Sequence, residues 1–101
     1  MTGSDFVRPL TFAEYAVGHY GAEAQIKKTQ EELRELDHAL TEYRFAKSRS
    51  SVGPATADVI DEIADVLIMA IQLRVIFGGH AIDERVQFKI ERQVRRMRGD
   101  G

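Results

Sequence analysis

The sequence predicts an all-α helical bundle whose four-helix core is completed by dimerisation. Three observations lead there. Apolar residues recur at spacings of three and four along two long segments, which is the period of a helix face and not of a strand. Glycine, proline and serine gather between those segments, so the chain is punctuated where helices should end. The second long segment reads Val66-Leu-Ile-Met-Ala-Ile-Gln-Leu-Arg-Val-Ile-Phe77, apolar on nearly every side. A helix of that kind has to be surrounded, and one chain of 101 residues has too few helices to enclose it. A second copy would supply the missing walls, a common solution when a small domain has little core of its own.

The elements follow in order. Pro9 precedes Thr11-Phe-Ala-Glu14, a capping-box pattern that starts a short helix near residue 12. Gly18 and Gly21 weaken it and predict a bend around His19 and Tyr20. From Ala22 to about Lys47 every residue tolerates a helix, with Ile26, Leu33, Leu36, Leu40 and Tyr43 at helical spacing. Ser48 to Pro54 reads as a loop, and its bases Lys47 and Arg49 stand where they could close over a ligand. Thr56 is placed to cap the next helix, with Asp58 in its positive first turn and Gly78-Gly79 as its stop. A last helix runs from about Ile82 to Met97, before a fraying tail. The whole reads as one domain over 1–101, ordered over about 11–98, with a flexible N-terminal segment.

Composition excludes several chemistries. The chain has 14 basic and 16 acidic residues, so it is not built wholly around nucleic-acid phosphates. The absence of cysteine removes disulfides, zinc–thiolate sites and thiol nucleophiles. His19, His38 and His80 lack zinc spacing. The opening residues show neither a basic start nor an apolar run, and the apolar stretch from Ile63 to Ile71 is broken by Asp65. A cytoplasmic protein without a membrane partner is the expectation.

Carboxylates carry the remaining chemistry. Glu31, Glu32 and Glu35 lie on the first long helix, and Asp58, Asp61, Glu62 and Asp65 on the second. At about 100° per residue, Glu32 and Glu35 point inward and Glu31 is more peripheral. Asp65 sits inside an apolar run, where an ionised group is costly to bury alone. Carboxylates gathered between helices repel one another unless a cation neutralises them. With no thiolate present, Mg²⁺ is the natural guest. The competing reading is a solvated acidic face, with Lys27 and Lys28 pairing Glu31 and Glu32, and it suits Glu31, Asp58 and Asp61 best. Glu35-Leu-Asp-His38 is an ExxH of the kind di-iron bundles use in pairs. Glu62-Ile-Ala-Asp65 supplies no second histidine, so His38 reads as a surface residue.

Glu31-Glu32-Leu-Arg-Glu35, followed after 26 residues by Glu62-Ile-Ala-Asp65, resembles the EExxE…ExxD signature of MazG-like nucleotide pyrophosphohydrolases. These belong to the all-α NTP pyrophosphatase superfamily. The context Asp61-Glu-Ile-Ala-Asp-Val-Leu-Ile68 and the opening His19-Tyr20-Gly21 with Gln25 and Lys28 resemble small, phage-type members. The resemblance spans roughly residues 19 to 98. It implies that Glu32, Glu35, Glu62 and Asp65 bind Mg²⁺, with Mn²⁺ as an acceptable substitute, and that Glu31, Glu32 and Glu35 serve catalysis. The implied reaction splits a nucleoside triphosphate into monophosphate and pyrophosphate, in a homodimer or homotetramer. Lys89, Gln93 and Arg96 resemble the Lys-x₃-Asn-x₂-Arg run of some relatives, and with Gln25 and Lys28 they become the implied substrate contacts. Gln93 stands where those relatives carry asparagine.

Two other classes remain open at this point. A catalytically silent bundle would bind nucleotides or regulate without turnover. A basic-helix nucleic-acid adaptor would use Arg85, Lys89, Arg92, Arg95, Arg96 and Arg98, but the sequence lacks a recognisable nucleic-acid-binding motif.

Overall fold

The computed structural model describes residues 8–46 and 52–99. The N-terminal segment before Arg8, the loop bases Lys47 and Arg49, and the last two residues of the tail lie outside them. The described residues form four helices and no strand: α1, Pro9–Tyr20; α2, Ala22–Ala46; α3, Val52–Phe77; and α4, Gly79–Met97. No helix among them is long and apolar enough to cross a membrane.

Helix α1 starts earlier than the capping box suggests. Pro9 occupies its first turn, Arg8 precedes it in an extended conformation, and no side chain caps it. Proline is suited to that position because its fixed φ is already helical and its missing N–H has no helical partner to lose. The helix runs straight through Gly18 to Tyr20, and the break falls at Gly21, whose φ of 90° only glycine adopts readily. Helix α3 likewise begins at Val52 and not at Thr56. The Thr56 hydroxyl donates to the Val52 carbonyl at 2.8 Å, which is a bond within the helix and not a cap. Pro54 lies early enough in α3 to cost no backbone hydrogen bond. Helix α4 begins at Gly79 instead of Ile82, because Gly78 (φ 106°) reverses the chain in one residue.

Helices α2 and α3 pair along their length, and α1 lies chiefly against α3. The seam is unusual in content. On α2 it buries Gln25, Thr29, Glu32 and Ala39, and on α3 it buries Ala55, Met69 and Gln72. Leu33, Leu40 and Tyr43, part of the apolar stripe seen in the sequence, flank this seam and are exposed. Small and polar residues let the helices approach, and two buried amides hold them. Gln25 Nε2 donates to Gln72 Oε1 at 2.6 Å, and Gln72 Nε2 points at the Met69 sulfur at 3.7 Å.

Helix α4 is different. It touches only α3, buries no residue, and leaves Val86, Ile90 and Met97 open to solvent. Its departure angle is fixed at the corner. Arg74 grips both oxygens of Asp83 across the turn, with Nη2 on Oδ2 at 3.1 Å. Gly79 makes room for that arm, since a Cβ there would lie 2.8 Å from Arg74 Nη2. The radius of gyration is 17.1 Å, where a compact chain of this length measures about 13 Å.

Candidate metal centre

Helix α2 presents Glu32 to the seam and Glu35 nearly one turn on, while α3 presents Glu62 from the other side. One carboxylate oxygen from each of these three lies within 4.8 Å of the others. Glu32 is the deepest, at 6% exposure. Its Oε1 meets Lys28 Nζ at 3.2 Å, whereas its Oε2 is buried and accepts no hydrogen bond. The Oε2 of Glu62 is in the same condition. Buried polar atoms without partners are rare, because each forfeits the hydration it had in the unfolded chain. Two of them in one cluster of like charges mark a place that lacks positive charge.

The electrostatics agree. Burial, reinforced by the charges of Glu35, Asp65 and Glu32, pushes the Glu62 carboxyl above its ordinary value. Lys28 moves above the usual lysine range, chiefly through its hydrogen bond and charge interaction with Glu32. It therefore remains a cation, but one committed to Glu32 and lying 4.0 Å from Glu31.

The donor set fits a hard divalent cation. All three candidate ligands are carboxylates, and the sequence holds no cysteine thiolate to favour a softer metal. Ligands of an octahedral Mg²⁺ stand about 3 Å apart when adjacent and about 4.2 Å when opposite, so oxygens within 4.8 Å of one another would draw together to share one ion.

The other sequence-derived residues take varied places. Asp65 is exposed; its charge is felt by Glu62, but its oxygens stay outside the three-residue cluster. Its apolar neighbours in sequence lie on other faces of α3, so the cost of burial inferred from them is not incurred in this chain. Glu31 lies at the rim of an open cavity of about 460 Å³ lined also by Glu35, Ala39, Glu42, Asp58 and Glu62. Gln25 lies two turns from Glu32, bonded to Gln72 within the seam. Lys89, Gln93 and Arg96 are exposed on α4 and do not line the cavity.

Of the cavity's polar lining, the sequence reading passed over Arg34 and Glu42 and took His38 for a surface histidine. Arg34 and His38 complete the lining, and both project from the α2 flank that carries Glu31 and Glu35. The signal was their spacing of four residues, which places them one above the other; a helical wheel centred on that flank would have found them. Comparison of the chain with family models, with curated proteins and with solved structures finds no match.

Proposed function

We propose that this chain is a Mg²⁺-dependent nucleoside triphosphate pyrophosphohydrolase of the MazG-like kind, acting as a homodimer or homotetramer. The observation that carries the reading is the buried, unpartnered oxygen of Glu32 beside the carboxylates of Glu35 and Glu62. Those three residues would hold the ion, with Asp65 available one turn along α3. Bound there, Mg²⁺ would neutralise phosphate charge and lower the pKa of a water. Glu32 and Glu62 would hold the ion from opposite helices, with Lys28 paired to the other oxygen of Glu32 at 3.2 Å. Glu31, which lines the same cavity, would orient the attacking water and accept its proton.

Assembly is supported by what the single chain leaves bare. Its accessible surface is 7547 Å², while a compact monomer of this mass exposes about 5,800 Å². The excess is of the size a stable dimer covers. Ile60, Ile63 and Leu67 make a continuous apolar stripe on α3, directed away from the α2 seam. A second copy is the occupant whose exposed stripes match it in kind. Lys89, Gln93 and Arg96 stand away from the cavity of their own chain, so they would contribute only through such an assembly.

Incubation with each common (d)NTP and Mg²⁺, followed by product analysis, should yield monophosphate and pyrophosphate. Glu35→Gln and Glu62→Gln should each lower turnover by at least about 100-fold while preserving the helical circular-dichroism signal. Absence of turnover by folded wild-type protein across the panel would end this reading. Nucleotide binding without turnover would identify the silent relative instead.

A further inference from the structure

We propose that Arg34 and His38 form the phosphate-binding wall of the cavity, holding the polyphosphate of the substrate against the carboxylate cluster. The assignment takes its substrate class from the function proposed above, and its residues from the cavity. Five carboxylates line that cavity: Glu31, Glu35, Glu42, Asp58 and Glu62. A polyanion cannot settle there against so much negative charge on a metal ion alone. The basic side chains lining it, among the described residues, are Arg34 and His38. Lys28 does not line it and is already paired with Glu32.

Their geometry suits the task. Residues four apart on a helix project one above the other, about 6 Å between Cβ atoms, so the pair makes a short track along the cavity. Arg34 holds no ion pair or side-chain hydrogen bond among the described residues, and its guanidinium fork is free to grip phosphate oxygens in bidentate fashion. His38 has only a long contact, Nε2 to Glu42 Oε1 at 4.0 Å, which a phosphate oxygen would displace easily. His38 also lines the adjoining hollow, with Glu42, Ala46, Pro54, Ala55 and Asp58, so it stands where the two openings meet.

Calorimetric titration of inorganic tripolyphosphate with Mg²⁺ into the full-length chain tests this without knowledge of the base. Mn²⁺ alone serves as the parallel probe of the carboxylates. Arg34→Ala should weaken tripolyphosphate about 10- to 100-fold, and His38→Ala about 3- to 10-fold. Both should leave Mn²⁺ binding and helicity at wild-type level. Arg34→Lys should recover part of the loss. Arg44→Ala, which removes an exposed α2 cation outside the cavity lining, should change nothing. Wild-type tripolyphosphate affinity in both Arg34→Ala and His38→Ala would overturn the assignment, as would a wild-type chain that does not bind tripolyphosphate. Failure of Mn²⁺ to bind, with tripolyphosphate binding still dependent on Arg34, would sink the metal reading and leave the phosphate wall standing.

Discussion

The α2–α3 hairpin and α4 obey opposite rules of helix construction. The hairpin hides amides, a threonine, a glutamate and small residues in its seam, and turns large aliphatic side chains outward. Helix α4 segregates its faces sharply, with Ile82, Val86, Ile90 and Val94 along one side, yet it buries no residue. Its other side pairs Phe88 with Arg85 and Arg92, whose guanidinium carbons lie 4.8 and 5.8 Å from the ring centre. Helices in proteins owe most of their stability to tertiary packing. The hairpin has that support within one chain. Helix α4 is held at its root by Arg74 and Asp83, and the rest of its apolar face calls for a partner.

The largest expected effect tests that need. Leu67→Asp or Val86→Asp would place a carboxylate in the surface assigned to assembly, and should raise the dimer dissociation constant by more than about 100-fold. Sedimentation velocity reads this directly. A wild-type chain that sediments as a monomer at high concentration would break the contrast, because α4 would then be stable without a partner.

Next in size is the difference in folding energetics. Gln72→Ala should cost about 1–3 kcal/mol in urea unfolding, because it leaves the buried Gln25 amide without its acceptor. In dilute, unassembled protein, Ile90→Ala on α4 should stay within about 0.5 kcal/mol of wild type. Equal losses at the two sites would mean that α4 packs as firmly as the hairpin.

The smallest effects are in pH dependence, and they have opposite signs. The folded chain holds the Glu62 proton more tightly than the unfolded chain does. Stability in metal-free buffer should therefore fall as pH rises from the ordinary glutamate range through the raised folded value. Glu62→Gln should flatten that slope and raise the melting temperature at neutral pH. Asp83 is shifted the other way, because Arg74 donates to its carboxylate. Its contribution is present above the ordinary aspartate range and is lost as pH falls through the depressed folded value. Asp83→Asn should lower the melting temperature slightly at neutral pH and leave it unchanged in strong acid.

Helical periodicity was enough to find both long helices and the basic last helix, since 3.6-residue spacing survives whatever surrounds it. Starts were harder. Thr11 and Thr56 both looked like caps, but Pro9 and Val52 begin the helices because proline needs no cap and threonine can bond inside a turn. The seam could not be read from hydrophobicity, because Gln25, Thr29 and Glu32 are buried by pairing with particular atoms of α3 or of α2 itself and not by apolar character. Angular position told Glu32 from Glu31. It did not reveal that Arg34 and His38 share the cavity, because a groove between two helices exists only once both are placed. The apolar neighbours of Asp65 gave no measure of its own burial, which depends on which face of α3 meets α2.

One bond in the seam has a consequence for how this chain can change. Starting from the Gln25–Gln72 bond and moving ten residues along each helix in opposite chain directions leads to Glu35 and Glu62. The amide pair and the carboxylate pair are thus two marks on one antiparallel ruler. A single-residue insertion between Gln25 and Glu35 would turn the later mark by about 100° relative to the earlier. The helices could then keep their buried amide or their acidic cluster, but not both. Length changes outside that interval would leave both pairs in register.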